Sequence, residues 1–166
     1  MIAMLGILAC TAMKAQDHLE AMDHVLSAAG SRIRGTSSGA VKLQLRGIYV
    51  LDGLLWFTMR VSNGSVIDWR AGPMRFSIRD RHVLRRRARQ ELPLAIVARH
   101  EALTVRSDSS VVLCYALTPR LPRKGQDLVL DYGERNGDRR MMLRLKSKDI
   151  LKAKKLDGNA NNRIPL

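Results

Sequence analysis

From Val41 onward the apolar residues of this chain recur at every second position, and that period constrains the fold more than any other feature. Val41, Leu43 and Leu45 alternate with Lys42, Gln44 and Arg46. Leu55, Phe57, Met59 and Val61 alternate with Trp56, Thr58 and Arg60, and Met74, Phe76 and Ile78 with Arg75, Ser77 and Arg79. Successive side chains of a strand point to opposite faces, so each segment predicts a strand with one apolar and one wet face. The pattern returns at Val111, Leu113, Tyr115 and Leu117, at Leu128, Leu130 and Tyr132, and at Met141, Leu143 and Leu145. Asp52-Gly53 reads as a turn, Asn63-Gly64 as a break tolerant of positive φ, and Asn136-Gly137 as a tight hairpin turn. The segment from Leu92 to Val105 is less regular and reads as one or two strands. Short alternating strands with no long crossover helix predict a mainly β, antiparallel, Ig-like β-sandwich of about seven to nine strands. The sandwich domain is placed at residues 40–150.

One helix is expected before it. Leu19, Met22, Val25 and Leu26 recur at three- and four-residue steps, with Gly30 as a stop. Residues 31–39 mix Ser, Gly and Thr and read as a flexible link, so residues 17–39 form a short helix and linker. Residues 151–166 offer little apolar surface and read as a flexible basic and polar tail. Residues 1–16 read either as a short export signal ending near Gln16 or as part of an upstream helix. The triplet Ile7-Leu8-Ala9 before Cys10 is faintly like a lipoprotein cleavage site. The apolar run from Ile2 to Met13 is too short for a bilayer-spanning helix, so no transmembrane span is predicted.

The 166 residues carry a formal net charge of +14. Residues 1–30 hold Lys14 against Asp17, Glu20 and Asp23, so the body is more basic than the whole. Such a surface attracts nucleic acid, anionic headgroups or an acidic protein, and net charge alone does not choose among them. The two cysteines, Cys10 and Cys114, define no disulfide framework or cysteine-based metal site. Glu20 and His24 share a helix face as half of a metal site, but the sequence supplies no converging ligands, and solvated helix residues explain them better. No nucleophile elbow, phosphate-binding glycine loop, dinucleotide fingerprint or His-Glu-x-x-His helix is present. No catalytic residue, metal or cofactor is assigned, and an enzyme is not expected.

Arg79 to Glu91 stands out. Between Arg79 and Arg89 lie six arginines and one acid, Asp80. Guanidinium groups fork onto carboxylates or phosphates, so the segment reads as a docking site, or as a charged edge that keeps sheets from pairing with one another. A basic nucleic-acid-binding module using Arg75 to Arg89 is the alternative. It is disfavoured because no aromatic residue lies between Phe76 and Tyr115 to stack on bases.

Several separated motifs then agree in order. Leu45-Arg46-Gly47-Ile48-Tyr49-Val50, Leu55-Trp56-Phe57, Asn63 followed by Ser65, Arg75-Phe76-Ser77-Ile78-Arg79-Asp80-Arg81 and Arg86-Arg87-Ala88-Arg89-Gln90-Glu91 precede Glu134, Gly137-Asp138-Arg139 and Lys148-Asp149-Ile150-Leu151. This succession, over about residues 30 to 155, resembles the C-terminal domain of the TraN family of Bacteroidetes conjugative transposons.

The resemblance implies a structural subunit of a type IV secretion apparatus, CagX-like in role and exported to the periplasmic and outer-membrane core. It implies copies of its own kind as neighbours, other conjugation proteins, and a small outer-membrane lipoprotein engaged by strand addition. Arg75, Arg79, Asp80, Arg81, Arg86, Gln90 and Glu91 are the positions carried over as a partner-docking set. Asp80 is expected to offset neighbouring guanidinium groups, and Gln90 with Glu91 to anchor a strand end. Arg70 and Gly72 depart from the family's acidic residues at those positions, and Arg87 replaces a threonine.

Overall fold

The computed structural model describes residues 16–28, 30–81 and 91–158. A helix, α1 (residues 16–27), precedes β1 (Arg34–Ser38), β2 (Val41–Leu51), β3 (Leu54–Asn63), β4 (Trp69–Arg70), β5 (Arg75–Asp80) and β6 (Glu91–Leu94). There follow β7 (Ile96–His100), β8 (Thr104–Val105), β9 (Ser109–Leu117), β10 (Gln126–Gly133), β11 (Arg140–Leu145), a one-turn helix α2 (Ser147–Ile150) and β12 (Lys154–Lys155). The expected mainly β, antiparallel sandwich with one N-terminal helix is what forms. One sheet runs β1-β2-β3-β9-β7, with β12 parallel to the end of β2; the other runs β11-β10-β5-β6. The ribbon β4-β8 covers the end at which β3 finishes.

The alternation places the core between the sheets. Val41, Leu43, Leu45, Phe57, Met59 and Leu113 from the larger sheet meet Phe76, Ile78, Leu128, Leu130 and Leu143 from the smaller. Phe76 stands 5.4 Å from Phe57 and 5.6 Å from Tyr115 between ring centroids, joining the layers. A bulge between Leu45 and Gly47 adds one residue to β2 and resets its parity. Ile48 therefore stays in the core, while Tyr49 and Leu51 turn outward to meet α1. The Tyr49 ring covers Gly47, where a Cβ would fall 2.2 Å from the ring.

Four readings change. Strands number twelve among the described residues, because 34–38 and 154–155, read as link and tail, pair with β2, and 91–105 divides into three short strands. Leu19 does not face the core: it is 62% exposed, and Ala21, Met22 and Val25 make the buried face. Trp56 is not on a wet face; it is fully buried beneath α1 and donates to the Leu51 carbonyl at 3.2 Å. Asp52-Gly53 is a tight two-residue turn with φ of 51° and 71°, but Asn136-Gly137 lies inside a longer loop in which Glu134 N–H donates to the Arg139 carbonyl.

The two sides of the sandwich differ. β1 packs against β11, and Arg34 pairs with Asp149 at 3.3 Å, which joins the sheets on that side. On the other side the chain crosses at Ala95 from β6, the last strand of the smaller sheet, to β7, the last strand of the larger. No further strand pairs with either edge among the described residues.

Candidate interaction face

The strands that fill the core with Phe76, Ile78, Leu128, Leu130, Tyr132, Met141 and Leu143 must turn the intervening residues outward. The outer face of the smaller sheet therefore carries Arg75, Ser77 and Arg79 from β5, Asp127, Val129 and Asp131 from β10, and Arg140, Met142 and Arg144 from β11. A basic strand lies between an acidic one and Glu91 of β6.

The charges interlock diagonally. Asp127 is opposite Arg79 in register, yet the Arg79 guanidinium reaches Asp131 at 3.2 Å and Glu91 at 2.8 Å, and its Nε donates to Ser77 Oγ at 2.9 Å. Arg140 forks onto Asp131, with Nε 2.6 Å from Oδ1. Arg81 donates to Asp127 Oδ1 at 2.6 Å and to the Gln126 carbonyl at 3.1 Å. Arg79, Asp127 and Asp131 are all buried. The Arg140 hydrogen bonds, and then the one from Arg79, hold the Asp131 carboxyl below the usual carboxylate range against the opposing effect of burial.

The carried-over positions thus separate. Arg79, Arg81 and Glu91 take part in the lattice, with Glu91 at the start of β6 as a strand anchor. Among the described residues Asp80 pairs with no arginine; it accepts from Gln126 Nε2 at 3.1 Å, on the strand face opposite to Arg79. Arg75 is exposed and makes no ion pair among the described residues. Arg86 and Gln90 lie outside the described residues. Two of the three described arginines of the motif are therefore committed to internal carboxylates.

The separated motifs Asn63-x-Ser65, Glu134 and Gly137-Asp138-Arg139 meet at the end where β3 finishes. Buried Asn63 donates from Nδ2 to the carbonyls of Ile67 (2.9 Å) and Val105 (3.1 Å), while its Oδ1 accepts from Ser65 N–H and Oγ. Neither Asn63 nor Gly64 adopts positive φ; the asparagine serves through its side chain. Arg139 forks onto Glu134, reaches Ser65 Oγ at 3.4 Å and the Asp68 carbonyl at 3.4 Å. A Cβ on Gly137 would strike the Glu134 carboxylate, and one on Gly72 would come 2.9 Å from the Gly133 carbonyl. A side chain at Gly72 would therefore require the backbone there to shift.

Burial pushes the Cys114 thiol up to about 12, so it is protonated at neutral pH and a poor nucleophile. Glu20 and His24 are exposed on α1, and no three His, Cys, Asp or Glu side chains converge as metal ligands among the described residues.

Sequence reasoning missed Asp127, Asp131 and Arg140. Their signal was present in the alternation: Asp131 lies between the core residues Leu130 and Tyr132, and Asp127 and Arg140 each adjoin one, Leu128 and Met141. What the sequence lacked was the strand pairing, which sets Asp131 opposite Arg75 and Met142 and within diagonal reach of Arg79 and Arg140. A comparison with curated proteins gives no match. The profile of one family, described as Domain of unknown function (DUF4138), matches residues 16–155, from α1 through β12, and the chain belongs to that family.

Proposed function

We propose that this chain is a structural subunit of a bacterial conjugative transfer apparatus, a type IV secretion system, that works by protein–protein assembly in a CagX-like role. The observation that carries the assembly reading is the contrast between the sides of the sandwich. The β1/β11 side is joined, whereas β6 and β7 leave the edges of both sheets open along one continuous segment, 91–100, among the described residues. An open edge offers main-chain donors and acceptors to an added strand. Pro93 in β6 and the irregular register at Val97 in β7 interrupt those edges, which restricts pairing to a strand of matching shape. The motif resemblance supplies the setting: the periplasmic and outer-membrane core, with other conjugation proteins, copies of this chain and a small lipoprotein as neighbours. Among the described residues no helix is long and apolar enough to cross a membrane.

The test is affinity recovery of the tagged chain from mating donor cells, followed by mass determination. Envelope conjugation proteins in stoichiometric amount are the expected result. Recovery alone, or with DNA whose binding collapses as salt rises, would overturn the reading and favour the basic nucleic-acid module.

A further inference from the structure

The positive charge of this chain gathers at one end of the sandwich. Residues 30–34, 118–124 and 146–155 hold two, three and five lysines or arginines and a single carboxylate, Asp149. The fold brings these three stretches together toward the end where β2 turns into β3. Ser147 Oγ donates to the Pro122 carbonyl at 2.5 Å, Arg34 pairs with Asp149 at 3.3 Å, and Lys154 is paired with Tyr49 of β2. Asp149 also accepts from the Lys146 N–H at 2.9 Å, so its carboxylate is already engaged. No other cation of these stretches makes an ion pair among the described residues. All fifteen aspartates and glutamates of the chain are among those residues, so no side-chain carboxylate elsewhere neutralises this end. The opposite end, where β3 finishes, is balanced: exposed Asp68, Asp108 and Asp138 stand with Arg70, Arg106 and Arg135.

Apolar surface lies among the unpaired cations. Ile33 is 45%, Leu121 48% and Leu151 69% exposed. Two clefts adjoin them. The first, of about 330 Å³, is lined by Ile33, Ile48 and Tyr49 together with Arg46, Lys152 and Lys154. The second, of about 400 Å³, is lined by Val50, Leu55, Leu121, Ile150 and Leu151 together with Arg120. Ile48, Leu55 and Ile150 are buried, so each cleft has an apolar floor beneath a cationic rim.

These features discriminate among anionic occupants. A second copy would bring the same cations against one another. A nucleic acid supplies phosphates, but every aromatic side chain of the chain is buried and none is presented for stacking on bases. A bilayer is flat, so Ile33, Leu121 and Leu151 could reach it while the recessed floors stayed unfilled. A polypeptide that carries both carboxylates and large apolar side chains meets both demands. Its apolar side chains remove the cleft floors from water, and its carboxylates meet cations that have no partner of their own. We propose that this end docks an acidic segment of a partner protein, whose leucine or phenylalanine side chains fill the two clefts while its carboxylates meet Arg46, Arg120, Lys152 and Lys154. The site is separate from the β6 and β7 edges and does not rest on the conjugation reading.

The experiment follows the fluorescence anisotropy of a labelled synthetic peptide, in which each leucine or phenylalanine is flanked by glutamates, as the purified full chain is added. Saturable binding that weakens as salt rises is expected. The same peptide with serine in place of its apolar residues is expected to bind about tenfold more weakly or worse. Lys152→Glu with Lys154→Glu, and separately Leu121→Ser with Leu151→Ser, are each expected to weaken the first peptide by about tenfold or more. Arg106→Glu with Arg135→Glu makes the same change of net charge at the balanced end and is expected to stay within about twofold of wild type, since distant charges are screened. All these positions are exposed, so unchanged melting temperatures show that the fold survives, and the serine peptide probes the clefts with the chain unaltered. Absence of binding at low salt, equal binding of the serine peptide, or equal weakening by the Arg106 and Arg135 pair would overturn the proposal. Tighter binding to vesicles of anionic phospholipid or to a single-stranded oligonucleotide, lost on reversal of Lys152 and Lys154, would overturn it too and assign this end to lipid or nucleic acid.

Discussion

The outer faces of the two sheets are finished by opposite means. On the larger sheet, α1 lays Ala21, Met22 and Val25 over Tyr49, Leu51, Trp56, Cys114 and Ala116, and the layer is held by removal of apolar surface from water. On the smaller sheet, Arg79, Asp127 and Asp131 are buried within a lattice of ion pairs. Apolar burial tolerates small errors of shape, whereas a buried charge lattice depends on each partner being present. The contrast predicts where the molecule breaks most easily.

The largest effect is expected at Asp131. Asp131→Ala leaves buried Arg79 with Glu91 as its one carboxylate partner among the described residues and frees Arg140, and denaturant unfolding should show a loss of about 3 kcal/mol, the lower end for breaking a buried pair. Replacing both members, Arg79→Met with Asp131→Leu, should restore a large part of that loss, since an apolar pair carries no desolvation cost. If the double variant were as unstable as the single one, the lattice would owe its stability to something other than charge pairing.

Val25 provides the matching probe beneath α1. It is fully buried, and Val25→Ala removes two methyl groups at about 0.8 kcal/mol each plus a small cavity, so roughly 2 kcal/mol should be lost. Unlike the Asp131 effect, this loss should be nearly independent of pH between 3 and 8, a window set by the ordinary carboxylate range of about 4.

That pH contrast sharpens the comparison further. The folded Asp131 carboxyl is depressed, so its contribution is fully present above the unfolded aspartate value of about 3.9 and is lost as pH falls through the lower folded value. The stability difference between wild type and Asp131→Asn should therefore be constant near neutrality and shrink only below about pH 4. A difference that shrank between pH 5 and 7 instead would assign the effect to another group.

How far each face was legible follows from the same physics. The period-two pattern exposed the inter-sheet core, since Leu43, Phe57, Phe76 and Leu130 differ sharply from their neighbours. It misread Trp56 and Leu19, because coverage of a second face depends on where α1 docks, and helical spacing does not fix which of two adjacent stripes is buried. Arg79, Arg81 and Glu91 were singled out by composition. The carboxylates that Arg79 and Arg81 reach, Asp131 and Asp127, lie about fifty residues away and are brought onto the same face only by the pairing of β5 with β10. The convergence of Asn63, Ser65, Glu134 and Arg139 was visible only as recurring motifs, their hydrogen bonds requiring the fold.

The smallest expected effect tests whether the lattice and the docking role can be separated. Arg75 shares the outer face with Arg79 but is exposed and carries no carboxylate partner among the described residues, so Arg75→Gln should alter stability by no more than about 0.5 kcal/mol. Its charge is then free to act on another molecule, and if the smaller sheet's outer face meets an acidic partner, Arg75→Gln should lower recovery of envelope proteins from donor cells while the melting temperature stays unchanged. Arg79→Gln cannot make that separation, because it damages the lattice first. Equal recovery of partners by Arg75→Gln and wild type would confine the arginines of this face to holding the sheet and leave the β6 and β7 edges as the place where a partner binds.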